Sequence, residues 1–230
     1  MSYSFPPSSY EIVTPRLVIR NGIPSDAKTM ARILSSPENM PYQSAHGSIS
    51  IDGMLSRIAN WNKMASDGSN AFLVIALRET GEPIGSGGFN CFELHPGSAD
   101  TPASEPSLEY SIDPQSRSAD IPASGGSPYL TDIGVMLDHP LWRRGYATEA
   151  LCASIDFAFT ELKCQLIRLE TNIKNEPWRA LMRSLGLGDL EENAVSSYDG
   201  TRGWLYKIDV ETWKTTKSNM KASGKWPLEY

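Results

Sequence analysis

Apolar and charged positions alternate near the start of the chain, and this pattern predicts the first strand. Residues 14–20, TPRLVIR, show the alternation expected of a strand with one buried face. Helix start signals at residues 24–26, PSD, predict a helix that runs to about Leu34. Apolar residues at helical spacing predict a second helix from about Ile51 to Met64.

Two strongly apolar segments come next, and they predict a hairpin. Residues 72–77, FLVIAL, are too apolar for a strand with one solvated face, and residues 79–82 turn the chain back into residues 84–89. Residues 93–128 are rich in Pro, Ser, Gly and Ala, so they cannot bury enough surface to offset the entropy lost on ordering. We interpret them as a largely flexible insertion into a hairpin, either a tolerated surface segment or a substrate lid.

Strands and helices alternate again after the insertion, which predicts an α/β (α+β) fold. The elements are a strand near 133–137, a helix near 146–161, a strand at 166–171, a short helix from Pro177 to Leu185-Gly186 and a strand at 204–208. We expect a flexible tail at residues 1–13, a single domain at 14–213 and a poorly ordered or surface-bound tail at 214–230.

Composition narrows the class of protein. A chain of 230 residues with 40% hydrophobic content can bury a substantial core in one domain. The net charge of −6 argues against a general nucleic-acid binder. The three cysteines form no C-x-x-C and fit buried thiols in a reducing compartment. Since neither a secretory signal nor a membrane-spanning run is evident, we expect a soluble cytoplasmic protein with no membrane partner.

The most informative segment is 131–151, TDIGVMLDHPLWRRGYATEAL. It runs from an apolar strand through a basic, Gly-containing turn into a helix, so backbone N–H groups gather at the positive end of a helix dipole. Arg143 and Arg144 add positive charge at the same place. The turn therefore predicts a phosphate or pyrophosphate site at the carboxyl end of a strand. Its spacing matches neither the nucleoside-triphosphate loop nor the dinucleotide fingerprint.

Two separate motifs resemble one enzyme family. Residues 142–147, WRRGYA, resemble the pyrophosphate-binding signature Q/R-x-x-G-x-G/A of the GNAT N-acetyltransferases. The longer string DHPLWRRGYATEA is similar to the branch typified by ribosomal-protein N-terminal acetyltransferases. Residues 175–187, NEPWRALMRSLGL, resemble the family pattern N-x-x-[AS]-x-x-L-Y-x-x-x-G-F, with Asn175, Leu181 and Gly186 in register. The resemblance covers most of the chain outside the insertion and the tails.

The resemblance implies a fold and a donor site. The fold would be a mixed, mostly antiparallel sheet flanked by helices, in which strands ending near Leu137 and beginning near Leu166 splay apart to hold acetyl-CoA. Asn175 would contact this cofactor or a bound water. Asn is equally suited to the N-cap position, just before Pro177, of the helix that follows. The other implied cofactor-binding residues are Val135, Met136 and Leu137 for pantetheine, and Arg143, Arg144, Gly145, Tyr146, Ala147 and Thr148 for pyrophosphate.

The catalytic residues are less sharply indicated. Glu170 stands where several relatives carry a glutamate proposed as the general base, and Asp132 is the second candidate; either could instead be a solvated carboxylate at a strand edge. The family's tyrosine acid would fall at Met182, which cannot donate a proton, so water would protonate the thiolate. Tyr206 and Ser184 are substitutes without positional support.

These observations leave two functional hypotheses. The first is an acetyl-CoA-dependent N-acetyltransferase whose acceptor is a primary amine, either a protein N-terminus or a small molecule. The second, suggested by Met182 and Trp178, is a catalytically degenerate acyl-CoA-binding or sensor module.

The three histidines are too widely spaced to indicate a metal site, and Glu149 fits charge balance at a helix start better than catalysis. No nucleic-acid partner is expected, and a homodimer remains open.

Overall fold

A computed structural model of the chain describes residues 5–42, 47–93, 129–197 and 200–229. Apart from its first residue, the predicted insertion at 93–128 lies outside these ranges. The described strands are β1 Glu11–Val13, β2 Leu17–Arg20, β3 Ala71–Leu77, β4 Pro83–Glu93, β5 Leu130–Leu137, β6 Leu166–Asn172, β7 Glu192–Val195 and β8 Arg202–Asp209. The described α-helices are α1 Ala27–Ser35, α2 Ile51–Ser66, α3 Tyr146–Thr160, α4 Glu176–Ser184 and α5 Val210–Ala222.

The described strands form one sheet in the order β1-β2-β3-β4-β5-β6-β8-β7. Every neighbouring pair is antiparallel except β5 and β6, which are parallel. The prediction of a mixed, mostly antiparallel sheet is therefore confirmed. A parallel pair needs a crossover, and α3 supplies it between β5 and β6.

The parallel pair separates soon after it forms. Residues 130–132 of β5 pair with residues 166–168 of β6, and the pairing stops there, while β5 stays bonded to β4 and β6 stays bonded to β8. The register of β4 shifts between Phe89 and Cys91, beside the point of separation. Because such a bulge bends a strand and increases its twist, it turns β5 away from β6. The predicted splay is confirmed.

Helices cover both faces of the sheet. Along β3, Val74 packs with Met30 and Met54 of α1 and α2, whereas Leu73 and Ile75 belong to the larger cluster, which includes Leu151 of α3. Since successive side chains of a strand point to opposite faces, α1 and α2 must lie on one side of the sheet and α3 on the other. This arrangement leaves the edge of β5 beyond Asp132 as an opening between two covered halves.

The two ends of the chain contain more regular structure than the sequence indicated. Residues 11–13, assigned above to a tail, form β1 and pair with β2. The expected boundary at residue 213 falls inside α5. Trp213, Thr216 and Met220 give α5 a buried face, and Lys217 binds Asp156 of α3 at 2.7 Å. A sparse apolar stripe among many lysines is a weak sequence signal, but in the fold it suffices to dock the helix.

The thiols and the helices add two further observations. Cys152 and Cys164 are buried and Cys91 is partly buried; all three are free, and burial raises the pKa of each to about 12. They are therefore protonated at neutral pH. In the described part of the chain, none of the helices has both the length and the apolar character needed to cross a bilayer.

Candidate functional site

A cleft of about 760 Å³ opens where β5 and β6 part. Its walls come from six segments: residues 135–137 of β5, residues 170–172 of β6, residues 141–143 and 145–148 after β5, one side of α4 with Asn175, residues 39–42 after α1, and Ser196, Thr201 and Gly203 near the β7–β8 connection. The volume falls within the range of about 300 to 1,000 Å³ that is usual for small-molecule sites. The cleft therefore brings the two sequence motifs to a single site.

The turn before α3 has the backbone geometry of an anion site. Arg143 and Gly145 both have left-handed backbones, with φ of 64° and 81°, and α3 begins directly after Gly145. Such conformations at a helix start turn successive N–H groups toward one point. Arg143, Gly145, Tyr146, Ala147 and Thr148 line the cleft. Arg144 does not line it, because its backbone carbonyl faces Arg16 on the other side.

A buried carboxylate anchors this turn to the first strands. Glu149, in the first turn of α3, is 1% exposed and accepts hydrogen bonds from Thr14 Oγ1 at 2.6 Å and from the backbone N–H of Arg16 at 2.8 Å. Arg16 Nε also binds the carboxylate at 2.6 Å. These donors compensate the cost of burying the charge. The sequence indicated charge balance for Glu149 but gave no sign of its partners, which lie more than a hundred residues away.

The end of β5 is fixed by its neighbours. Val135, Met136 and Leu137 line the cleft and pair on their other side with β4. The indole N–H of Trp142 donates to the backbone carbonyl of Leu137 at 2.8 Å. This hydrogen bond connects the end of β5 to the turn. Trp142 therefore has a structural role at its position before Arg143 and Arg144.

Asn175 lies at the N-terminus of α4 and serves as its N-cap. Its Oδ1 accepts the backbone N–H of Trp178 at 3.2 Å, and its Nδ2 donates to Thr171 Oγ1 at 2.7 Å. The capping interpretation is therefore confirmed. Asn175 also lines the cleft, so the proposed contact with a cofactor or a water is compatible with the cap.

Glu170 is the only carboxylate among the described residues that line the cleft. Its Oε2 accepts a hydrogen bond from the backbone N–H of Ser197 at 2.9 Å and one from Ser196 Oγ at 3.2 Å. Both donors belong to the segment that follows β7. A carboxylate held in this way keeps a fixed direction while retaining lone pairs for a further partner.

Asp132 occupies a different place. It is 1% exposed, does not line the cleft, and binds Arg168 through two hydrogen bonds of 2.7 and 3.0 Å. Arg168 also binds Glu93 at 2.8 Å. Asp132 therefore sits where β5 and β6 are still joined, enclosed by its ion pair. A general base needs hydrogen-bond reach to the substrate, so this position favours Glu170 over Asp132 as the candidate base.

The candidate acids are also separated by position. Met182 is fully buried and does not line the cleft. Tyr206 is buried, donates its hydroxyl to Glu191 Oε2 at 2.6 Å, and does not line the cleft either; burial and this carboxylate raise the pKa of Tyr206. Ser184 does line the cleft, and its Oγ donates to the carbonyl of Leu181 at 2.7 Å. Tyr206 is therefore not placed to protonate a leaving group.

The wall after α1 is held by a second group of polar contacts. Asn39 donates from Nδ2 to Asp138 Oδ1 at 3.1 Å, and its Oδ1 accepts the backbone N–H of His139 at 2.7 Å. Arg32 binds the other oxygen of Asp138 at 2.7 Å. Although burial opposes it, the hydrogen bonds from Arg32 and Asn39 lower the pKa of Asp138. The carboxylate thereby joins the end of β5 to the cleft wall at residues 39–42, a contact that the sequence did not predict.

Metal ligation is a separate question. Within the described ranges, no three His, Cys, Asp or Glu side chains come together as the ligands of a metal ion would. The cleft offers instead backbone N–H groups, hydroxyls, one carboxylate and one arginine. This set of groups is suited to an anionic ligand next to a proton acceptor.

Comparisons with known proteins agree with this geometry. Residues 16–188 match the family model described as the acetyltransferase (GNAT) domain. An uncharacterized N-acetyltransferase, p20 of Bacillus licheniformis, is 25% identical over 199 residues, which are 86% of this chain and 92% of that protein.

Two solved structures illustrate the fold. RimJ of Mycobacterium smegmatis, in complex with CoA-disulfide, superimposes with a TM-score of 0.66 at 17% identity and covers 98% of each chain. The ribosomal-protein-S5-alanine acetyltransferase of Vibrio fischeri gives a TM-score of 0.60 at 15% identity, covering 89% of this chain and 98% of that one. At these identities the structures establish a shared fold.

Proposed function

Because the chain belongs to the GNAT acetyltransferase family, we propose that it transfers an acetyl group from acetyl-CoA to a primary amine. One observation carries the proposal: the parting of β5 and β6 opens a cleft that holds both the left-handed turn at residues 143–145 and the carboxylate of Glu170. The turn could bind the pyrophosphate of the donor, and the carboxylate could accept the proton that the acceptor amine loses. One cleft therefore contains groups for both tasks.

The residues of the cleft fit acetyl-CoA. Residues 135–137 are bonded to β4 on one side, and on the other side none of the described strands pairs with them, because β5 and β6 have separated. Backbone groups there are available for the amides of pantetheine, and a backbone N–H can stabilise the oxyanion. Gly145 and the start of α3 would receive the pyrophosphate, with Arg143 adding charge.

Glu170 is the proposed general base. The amine nitrogen bonds to the thioester carbonyl carbon and gives up a proton, which passes through water to Glu170. The carbon–sulfur bond breaks, the sulfur leaves with the electron pair, and solvent water supplies its proton. Tyr206 and Met182 do not line the cleft, so this last step relies on water, with the Ser184 hydroxyl as the one protein alternative among those considered above.

The acceptor is proposed to be a protein N-terminus or a small-molecule amine. Likeness to a ribosomal-protein-S5-alanine acetyltransferase makes peptides the first acceptors to test. An α-amine, with a pKa of about 8, is neutral far more often at pH 7 than a lysine amine with a pKa of about 10.4. A lone carboxylate base acting through water is therefore better matched to an α-amine.

The alternative is a sensor that binds acyl-CoA without turnover, and the buried Met182 is the observation that favours it. A titration with acetyl-CoA, followed by a thiol-release assay with peptides, polyamines and amino-sugars, separates the two. Binding with thiol release on any amine supports the transferase. Binding without release on the whole panel favours the sensor, and absence of binding overturns both.

A further inference from the structure

Arg16 stands behind the phosphate-binding turn, outside the cleft, immediately before β2. Its Nη1 donates to the backbone carbonyl of Arg144 at 2.9 Å, and its guanidinium carbon lies 4.5 Å from the centre of the Tyr146 ring. Its Nε binds Glu149 at 2.6 Å. The Arg16 side chain therefore contacts three residues around Gly145: Arg144 before it, and Tyr146 and Glu149 in the first turn of α3.

The contact with Arg144 determines the direction of a neighbouring N–H group. The carbonyl of Arg144 and the N–H of Gly145 belong to the same trans peptide unit, so they point in opposite directions. Arg16 holds the carbonyl on the side away from the cleft. The N–H of Gly145 must then point toward the cleft, which Gly145 lines and Arg144 does not.

This peptide unit needs an external restraint. It ends at Gly145, which is left-handed, and the residue that precedes it, Arg143, is left-handed as well. A non-glycine residue in that conformation persists only when its surroundings impose it. If the unit rotated by half a turn, a carbonyl oxygen would face the ligand instead of an N–H, and an oxygen repels an anion.

Arg16 is itself well anchored. Its backbone N–H binds Glu149 at 2.8 Å, and its backbone carbonyl accepts the N–H of Arg78 at 2.8 Å. Glu149 is buried and is further bound by Thr14. The backbone of Arg16 is thus held by Glu149 and Arg78, and its guanidinium is held by Glu149 independently of the Arg144 carbonyl.

We propose that Arg16 is a positioning residue that holds the Arg144–Gly145 peptide with its N–H directed at the donor's pyrophosphate. The inference rests on the proposed function, because it takes acetyl-CoA as the ligand. Arg16 itself contacts the back of the turn. Its effect is therefore on the affinity for the phosphate part of the donor and not on the transfer step.

Two donors distinguish this role from a general structural one. Acetyl-CoA carries the pyrophosphate, and acetyl-pantetheine carries the same thioester without it. For Arg16→Gln we expect the Kd and KM of acetyl-CoA to rise about tenfold, as for the loss of one charge-assisted hydrogen bond, with kcat nearly unchanged. The KM of acetyl-pantetheine should stay as in the wild type.

Two further variants complete the design. Arg16→Lys retains the charge but not the planar fork, so it should restore only part of the acetyl-CoA affinity. Arg78→Gln is the matched control: Arg78 Nη1 donates to the carbonyl of Thr14 at 3.3 Å, in the same segment but away from the turn. It should leave the Kd of acetyl-CoA unchanged.

The outcomes are separable. Unchanged acetyl-CoA affinity in Arg16→Gln, or an equal loss for both donors, overturns the role of Arg16 while leaving the proposed function intact. If Arg16→Gln does not fold, Arg16→Lys decides by the same comparison of donors. If the wild type does not bind acetyl-CoA, the proposed function fails, and the role of Arg16 fails with it.

Discussion

The carboxylate of Glu170 and the backbone N–H of Ser197 are joined by a hydrogen bond of 2.9 Å. The bond links the middle of the sheet to the segment after β7, so the candidate base keeps one direction within the cleft. It also offers a clean substitution, because a glutamine can still accept the same hydrogen bond through its carbonyl oxygen.

Glu170→Gln should lower kcat by about 10² to 10⁴, the usual contribution of a general base, because the amide cannot take a proton. The Kd of acetyl-CoA should not change, since Glu170 is assigned to the acceptor. Steady-state kinetics and calorimetric titration measure the two quantities. Glu192→Gln on β7, which removes an exposed carboxylate, is the control and should behave as the wild type. Unaltered turnover in Glu170→Gln removes Glu170 as the base.

Gly145→Glu should abolish acetyl-CoA binding, because its Cβ would lie 3.3 Å from Arg16 Nη2 and disturb the contact that holds the turn, and because it adds a negative charge beside the N–H groups proposed to receive the pyrophosphate. Gly81→Glu is a matched control. Gly81 also has a left-handed backbone, with φ of 73°, and a Cβ there would meet nothing within 4 Å. Both variants carry the same backbone strain, but only Gly145 lines the cleft. Equal affinities for the two folded variants would contradict the assignment of the turn.

Asp132→Asn should reduce the free energy of unfolding by about 3 kcal/mol, because it leaves Arg168 without its buried partner. The kcat of the folded protein should change little. Glu93→Gln removes the half-exposed partner of the same arginine and should cost less than about 1 kcal/mol. Urea denaturation and kinetics at saturating donor test both effects. A large fall in kcat with unchanged stability would return Asp132 to the list of catalytic residues.

The stability of α4 should depend on pH through Glu191. Hydrogen bonds from Arg179, with a further one from Tyr206 and against the effect of burial, lower the pKa of Glu191 from 4.5 to about 2. A carboxyl with a lowered pKa contributes stability that is fully present above 4.5 and is lost as the pH falls toward 2. The difference in unfolding free energy between wild type and Glu191→Gln should shrink across that interval.

Urea denaturation at a series of pH values measures this difference. Glu211→Gln, which removes an exposed carboxylate paired with Lys214, is the control and should differ little from the wild type at any pH. A difference between wild type and Glu191→Gln that stays constant down to pH 2 would show that Glu191 is not responsible.

The parts of the site that the sequence predicted are those whose conformation depends on neighbouring residues in the chain. The turn at residues 142–147 needs a glycine at a left-handed position and a helix directly after it, and both features are local. The cap at Asn175 likewise depends on residues within three positions. Spacing alone can carry such information because the backbone conformation follows from the neighbouring residues.

The parts that it did not predict depend on contacts between distant residues. Glu149 meets Arg16 across 133 positions, and Arg32 meets Asp138 across 106. Nothing near either residue specifies its partner, since the meeting is produced by the order of strands in the sheet. The ion pair of Asp132 with Arg168 was not predicted for the same reason, because the sequence of a strand does not show whether a carboxylate on it faces a ligand or an arginine.

The ladder between β5 and β6 spans three residue pairs, 130–132 with 166–168, and the ion pair of Asp132 with Arg168 bridges the two strands at the same place. The sheet therefore has two halves that are joined over a short length of strand. A small rotation about this junction moves the far ends of the two halves most, and the turn at residues 143–145 follows the far end of β5. The width of the cleft thus depends on its closed end, where Asp132 and Arg168 hold the two halves of the sheet together. A donor bound between the two halves of the sheet would also fix the angle between them. We therefore expect amide hydrogen exchange in β6 and β8 to slow on acetyl-CoA binding, although neither strand belongs to the turn at residues 143–145.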